Sequence, residues 1–521
     1  MSHRINRCLS ILLLLILAAY PVNPQSKQVS PSPAYWPTHG WRTTTPEAQG
    51  IDSDKLAEAI EQARGGGVNI HSLLIVRNGY LVAEAYFHPY DGKSPHDLAS
   101  VTKSITTTLV GLAIEQGKIR SVGQPALSFF PGHMIANRDE RKERITVEHL
   151  LTMSSCLDCK SKGGEPTLWD MHQEKNWAQF MLDLPMVGEP GSNFVYCSGG
   201  MHLLSTIISQ TTGMTAHDYA KQRLFGALGI RETIWPADPQ GTSHGFGNLH
   251  LFPRDMAKIG WLFLNQGRWD GKQVVPAEWV ATATRRHIKT GNPRDYGYGW
   301  WIHPEGSVIP FEASGRGGQQ ISVVPSKNAV IVFNGGGFAA GEIMKLVIPA
   351  FKSDQPLPEN PAGVARLKAA IAAAGKAPAP NAMPALPEMA KTISGKTYVL
   401  EPNWISLQAL SLTFTPSGDA TARLTFGASQ NLGWTQKHTE ARAVGLDGIT
   451  RVSPGGRLGL PAGVRGAWED DHTFTLEYDE IANINGYRLT ITFSGDGVSI
   501  HAKERTGLFD EKFAGKVEPR P

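Results

Sequence analysis

Ser100-Val-Thr-Lys103 heads a long apolar-periodic run and is the only Ser-x-x-Lys in the 521-residue chain. Residues three apart on a helix share a face, which brings the Ser100 hydroxyl and the Lys103 amine within mutual reach. A serine hydroxyl is a poor nucleophile until a neighbouring base takes its proton, and a partly desolvated lysine can help to do that. The chain must therefore build a helix whose first turn opens on a crevice, and the chemistry indicated is acyl transfer through Ser100.

At this length one compact core is not expected, and two units with a connection are the natural arrangement. The composition, 41% apolar and 19% charged, is that of a globular protein. The formal net charge is only +3, and no basic stripe interleaved with aromatics occurs, so no nucleic acid is expected as a partner. Arg4 and Arg7 precede an apolar stretch over 8–19, and Pro21, Asn23 and Pro24 break it. This predicts a secretory signal peptide over 1–26, a periplasmic or secreted mature chain and no stable membrane span in it.

Beyond Cys8, the cysteines are Cys156, Cys159 and Cys197, an odd number for an oxidising compartment. Cys156 and Cys159 form a C-x-x-C without thioredoxin-like surroundings, and a zinc site would need a fourth ligand. One disulfide from Cys197 to Cys159 or Cys156 is expected, with Cys159 as the candidate partner and one thiol left over. The sequence implies no metal and no organic cofactor, and nothing in it specifies an oligomeric state.

A helix is predicted from the Asp52-Ser53 cap to Ala63. Ser72–Arg77 and Tyr80–Phe87 read as a hairpin around Asn78-Gly79. The Ser100 helix should run to Gly117. Helical spacing dominates 146–153, 201–208, 254–264 and 276–280, and β-rich segments return at 298–302, 320–324 and 329–333 before a helix over 342–351. The fold class is thus α/β of the α+β type: a mixed antiparallel sheet flanked by helices, with an inserted helical lobe. It is expected over 27–353. A Pro/Ala-rich linker with one short helix near 365–374 should cover 354–392. The alternating runs at 410–414, 420–426, 473–478 and 487–493 predict an antiparallel β domain, barrel or sandwich, over 393–521. Ser394-Gly-Lys-Thr397 is no P-loop, because Ala390 stands where the first glycine belongs.

Ser-x-x-Lys alone is a weak signal. Downstream, Gly188-Glu-Pro-Gly-Ser-Asn-Phe-Val-Tyr196-Cys-Ser198 precedes an apolar helix, and Ala313-Ser314-Gly315-Arg-Gly-Gly-Gln319 opens a hairpin. Together with Arg254-Asp255, Asn265-Gln-Gly-Arg-Trp-Asp-Gly271 and Tyr296-Gly-Tyr-Gly-Trp-Trp301, these stretches resemble, over 41–351, the serine β-lactamase-related hydrolases: class C enzymes, their esterase relatives and the 6-aminohexanoate-dimer hydrolases.

The resemblance implies a β-lactamase/transpeptidase-like fold and a small-molecule ester or amide substrate. It implies Ser100 as nucleophile, Lys103 as its partner and Tyr196 as a second base. A tyrosine can serve as a base near neutrality only where a cation favours its phenolate. The implied oxyanion hole is the backbone N–H of Ser100 and that of Arg316. Ser198, Ser314, Gly315 and Gly317 are expected against substrate, with Trp177, His244 and Asn248 as further pocket candidates. The Trp300-Trp301 pair reads as core. One departure matters: Ala313 stands where lactamases and penicillin-binding proteins usually carry a cation for a substrate carboxylate. Esters or amides lacking that carboxylate are favoured over β-lactams and peptide C-termini. The alternatives are a weak lactamase or peptidase, or a catalytically idle binding or sensor protein.

Overall fold

The computed structural model describes residues 35–159, 166–383, 385–415, 420–428 and 436–519. The segment expected as a signal peptide, 1–26, lies outside the described residues. The first unit is built on an eight-stranded sheet in the order Arg42–Thr43, Tyr80–Tyr86, Ile70–Arg77, Ala329–Gly335, Gln319–Val324, Phe311–Gly315, Trp301–Ile302 and Asp295–Tyr296. Only the outermost pair, Arg42–Thr43 with Tyr80–Leu81, is parallel; the other neighbours are antiparallel.

The central strands are covered on both faces, which explains their continuous apolar runs. Along Ile70–Arg77, Leu73 and Ile75 enter one core while Leu74 and Val76 enter the other. Ile331 and Phe333 alternate with Val330 and Val332 in the same way. This is the two-residue period of a strand dividing its side chains between two layers. Helices Ser53–Gly65 and Ala340–Val347 cover the first face. They are joined by Pro361–Ala374, which Asn360 caps and whose Leu367, Ala370 and Ala374 are buried in the same core. The stretch expected as a linker thus carries a helix with a covered apolar face.

The second face carries helices Thr102–Glu115 and Pro253–Leu264 and the helical lobe, in which Ser198–Thr212 packs on Thr102–Glu115. A disulfide joins Cys159 to Cys197 immediately before Ser198, and Cys156 is free and buried. Of the two partners the sequence leaves open for Cys197, the structure pairs it with Cys159.

The C-terminal unit is a ten-stranded antiparallel sheet running from His438–Val444 through Thr397–Leu400 to Arg451–Ser453. A bridge between Gly445 and Arg465 brings its two ends together, so the sheet curls into a nearly closed barrel and not a sandwich. Its interior is filled by Leu410, Leu424, Phe474, Leu476, Leu489 and their neighbours, leaving a void of about 20 Å³ beside Tyr478 and Tyr487. The barrel is a packed body, too full to hold a ligand inside.

Its rim docks on the first unit. Ile481, Ala482 and Leu460 cluster with Tyr90, and the Asp97 N–H donates to the Ala482 carbonyl at 2.9 Å. Among the described residues no helix is long and apolar enough to cross a membrane.

One glycine lets the loop that contains it lie directly on helix Ser198–Thr212. A Cβ on Gly245 would stand 2.2 Å from the Met201 carbonyl oxygen and 2.8 Å from Ser205 Cβ. Backbone cannot yield to that overlap without moving helix Ser198–Thr212. Gly245→Ala should lower unfolding stability by about 1–3 kcal/mol, read as a reduced denaturant midpoint; an unchanged midpoint would show that the loop moves freely.

Candidate active site

Ser100 sits on a 3-10 turn, Ala99–Val101, that runs directly into helix Thr102–Glu115. The turn is sharp: Ala99 has a φ of 44°, in the left-handed region that alanine seldom adopts. It is held from both sides. The Ala99 N–H donates to Asp97 Oδ1 at 2.8 Å, and the Leu98 N–H donates to the Leu249 carbonyl at 2.9 Å.

Lys103 follows one turn later and is 1% exposed. Its ammonium donates to Ser100 Oγ at 2.7 Å and to the Phe246 carbonyl at 2.9 Å. The same nitrogen lies 4.9 Å from the centroid of the Tyr196 ring. That ring stacks on Trp301 with centroids 6.1 Å apart and planes 14° apart. The Ser100 hydroxyl, the Lys103 amine and the Tyr196 ring, drawn from two distant stretches, therefore lie together.

The strand Phe311–Gly315 reaches the same point. A Cβ on Gly315 would stand 3.0 Å from the Ser100 nitrogen and 2.7 Å from the Leu98 carbonyl oxygen, so only glycine lets this strand end press against the Ser100 turn. The contact brings the start of the Arg316 turn to the serine. Ser100, Tyr196, Ser198, Asn248, Ser314, Gly315 and Arg316 all line one cleft of about 500 Å³.

Three sequence expectations are corrected. Trp177 and His244 are buried behind the cleft wall: Trp177 packs against His172 with ring centroids 4.5 Å apart, and His244 stacks on Phe246 at 5.4 Å. His172 and Phe246 face the cleft in their stead. His244 acts on the site indirectly, accepting from Asn248 Nδ2 at 2.9 Å. Burial beside His172 and His202 pushes its pKa well down, which keeps its ring neutral and able to accept. Gly317 does not reach the cleft either. A Cβ there would meet Ile484 Cγ2 at 2.4 Å, because the barrel rim packs on that turn. Finally, Trp300 is core as expected, whereas Trp301 lines the cleft with Arg294 stacked on it at 4.7 Å.

The sequence reading missed two groups. Leu168, Trp169 and His172 come from helix Pro166–Gln173, and Trp404, Arg457, Ile484, Asn485 and Leu508 come from the barrel. Helical spacing of Leu168 and His172 gave a faint cue to the first. The second has no local signal, since it depends on how the two units dock.

Each arginine in the cleft wall is backed by a buried glutamate: Arg294 by Glu312, Arg316 by Glu504 at 3.6 Å, and Arg457 by Glu480 at 3.2 Å. Arg316 also donates to Asn485 Oδ1 at 2.7 Å and to Thr506 Oγ1. Ala313 is wholly enclosed in the core. Among the described residues no group of three or more His, Cys, Asp or Glu side chains is arranged to hold a metal ion.

The family model described as Beta-lactamase matches residues 54–341, more than half of the chain. The chain belongs to the β-lactamase family. That is the serine β-lactamase-related hydrolase family implied by the motifs. A 6-aminohexanoate-dimer hydrolase of Paenarthrobacter ureafaciens is 25% identical over 287 residues, which are 50% of this chain and 71% of that protein. A putative D-alanyl-D-alanine carboxypeptidase of Salmonella paratyphi A is 22% identical over 338 residues, 51% of this chain and 77% of that one. Among solved structures, a putative 6-aminohexanoate-dimer hydrolase from Bacillus anthracis aligns with 64% of this chain and 86% of its own at 20% identity and a TM-score of 0.47.

In this family member a pair of buried histidines leads into the serine turn. His96 Nδ1 lies 2.7 Å from the Asp97 carbonyl oxygen, which can only accept, so the ring proton sits on Nδ1. Nε2 then accepts from His71 Nδ1 at 2.8 Å. Burial holds the His96 pKa down at about 4 and pushes that of His71 well below its usual value. An unfolded histidine takes its proton near pH 6.5. Below that the unfolded chain binds more protons than the folded one, so stability present above about pH 6.5 is lost as the pH falls through about 4. Thermal midpoints should drop over this window, and a His71→Asn, His96→Asn double variant should show a shallower drop. An undiminished slope in the double variant would contradict the assignment.

Proposed function

We propose that this chain is an exported serine hydrolase that cleaves an ester or amide bond through an acyl-Ser100 intermediate. The observation that carries the reading is the 2.7 Å contact between Lys103 Nζ and Ser100 Oγ beneath the Tyr196 ring, inside the cleft.

In the proposed reaction Ser100 Oγ attacks the carbonyl carbon. The Tyr196 oxygen, ionised beside the Lys103 ammonium, takes the hydroxyl proton as the new C–O bond forms and returns it to the leaving oxygen or nitrogen as the bond from the carbonyl carbon to that atom breaks. Water then enters, loses a proton to the Lys103–Tyr196 pair as its oxygen bonds to the acyl carbon, and the acyl–Oγ bond breaks as that proton passes to Ser100 Oγ, which frees the acid and restores the serine. The negative charge on the carbonyl oxygen falls to the N–H groups of Ser100 and Arg316. Ser198, Ser314 and Asn248 supply polar contacts to the acyl portion.

The electrostatics of the wall support esters and amides without a carboxylate. A β-lactam or peptide C-terminus needs an available cation, but position 313 offers none and the three arginines are already neutralised by glutamates. The Cys159–Cys197 disulfide supports export to an oxidising compartment.

Ser100→Ala should abolish turnover of short-chain p-nitrophenyl esters and linear amides, a loss of roughly 1,000-fold or more in kcat. Lys103→Ala should cost roughly 100- to 10,000-fold with little change in KM. Equal activity of Ser100→Ala and the parent would refute the reading. The eroded cationic position also fits an idle binding protein; a fluorophosphonate probe separates the two, since an idle site takes no label on Ser100.

A further inference from the structure

The barrel contributes to the cleft from the tips of four loops at one end. Trp404 lies between strands Thr397–Leu400 and Leu407–Phe414, Arg457 between Arg451–Ser453 and Ala462–Trp468, Ile484 and Asn485 between Thr473–Glu480 and Gly486–Ser494, and Leu508 between Gly497–Glu504 and Asp510–Val517. In an up-and-down barrel these connections share one rim. That rim is fastened to the nucleophile turn by the Asp97–Ala482 hydrogen bond and to the Arg316 turn by Asn485 and Thr506. It is a fixed wall of the cleft.

The wall has two chemically different sides. On one, Arg457 and Arg316 are held by Glu480 and Glu504, so their hydrogen-bonding and charge are largely satisfied. On the other, Trp404 stands edge-on to Trp169 across the domain boundary, with ring centroids 5.2 Å apart and planes 77° apart. Leu168 and Leu508 complete this side. Trp404 is fixed from behind: its backbone N–H donates to Glu511 Oε1 at 2.7 Å, and its ring packs on Phe509 at 4.6 Å. Trp169, Trp404, Leu168 and Leu508 all keep part of their surface open. Apolar surface kept wet inside a cleft and held rigid is a site that gains by being covered.

Resting on the hydrolase reading above, we propose that Trp404 and Trp169, with Leu168 and Leu508, form a subsite for an apolar, ring-sized group attached near the scissile bond. The substrate is thus an ester or amide of an arylalkyl or comparably bulky apolar type, and the barrel is its specificity wall. Covering on the order of 60–100 Å² of apolar surface corresponds to roughly a 10- to 70-fold preference over a methyl group.

The test compares p-nitrophenyl phenylacetate with p-nitrophenyl acetate on the full chain, and phenylacetamide binding on Ser100→Ala protein by calorimetry. The parent should favour phenylacetate in kcat/KM, and Trp404→Ala should cut the phenylacetate-to-acetate ratio at least tenfold, chiefly through KM. Trp404→Phe, which keeps a ring against Phe509, should restore most of the ratio and controls for a folding defect. Phenylacetamide should bind the Ser100→Ala protein at least tenfold more tightly than the Ser100→Ala, Trp404→Ala protein. Equal binding by the two, no binding by either, or an unchanged selectivity ratio would overturn the subsite. Turnover that persists in Ser100→Ala would overturn the hydrolase reading instead, and the binding comparison judges the subsite without turnover.

Discussion

The structure of the cleft depends on burying the Lys103 ammonium. Among the described residues no carboxylate pairs with it; its contacts are a hydroxyl, a carbonyl and an aromatic face. An enclosed cation without such partners would be too costly to keep. Each partner must therefore be held in place by something else. The Phe246 carbonyl is set by a loop pressed on helix Ser198–Thr212 at Gly245. Tyr196 is held by Trp301 and by the disulfide beside it. Ser100 is held by a strained turn braced by Asp97 and Leu249. Much of the lobe and of the sheet's far edge can be understood as the support this one charge requires.

The parts legible in the sequence were those written in local pattern. The Asn78-Gly79 hairpin, the apolar alternation of the central strands and the Ser100 helix follow from periodicity and turn chemistry, and they appear as strands Ile70–Arg77 and Tyr80–Tyr86 and helix Thr102–Glu115. The convergence of Ser100, Lys103 and Tyr196 was legible because each sits in a short motif at an element boundary. Trp177 and His244 misled because an aromatic or histidine near a site reads the same whether it forms the wall or backs it. Only packing decides that His172 and Phe246 stand in front of them. Trp301 failed in the opposite sense: Trp300, just before strand Trp301–Ile302, is buried in the core, whereas Trp301 lines the cleft.

What no local pattern could reveal is the share of the site that belongs to the barrel. Trp404, Arg457, Asn485 and Leu508 lie on four loops of ordinary polarity, and nothing in their spacing marks them as neighbours of Ser100. Their placement follows from a docking surface assembled from Tyr90, Leu460, Ile481 and Ala482. The packed interior of the barrel removes the other obvious role for such a domain, that of a ligand container.

The consequence reaches the chemistry. Arg316 carries one of the two N–H groups assigned to the oxyanion, and its guanidinium is anchored entirely on barrel residues: Asn485, Thr506 and Glu504. On the opposite flank the barrel holds Asp97, whose carboxylate in turn braces Ala99. Both sides of the place where charge would develop are thus fixed by one loop-bearing rim. Preorganised dipoles stabilise a transition state only to the extent that they do not have to move. On the proposed reading, a second domain that braces both flanks is part of the reacting centre, and a first unit separated from its barrel would keep its motifs while losing these braces.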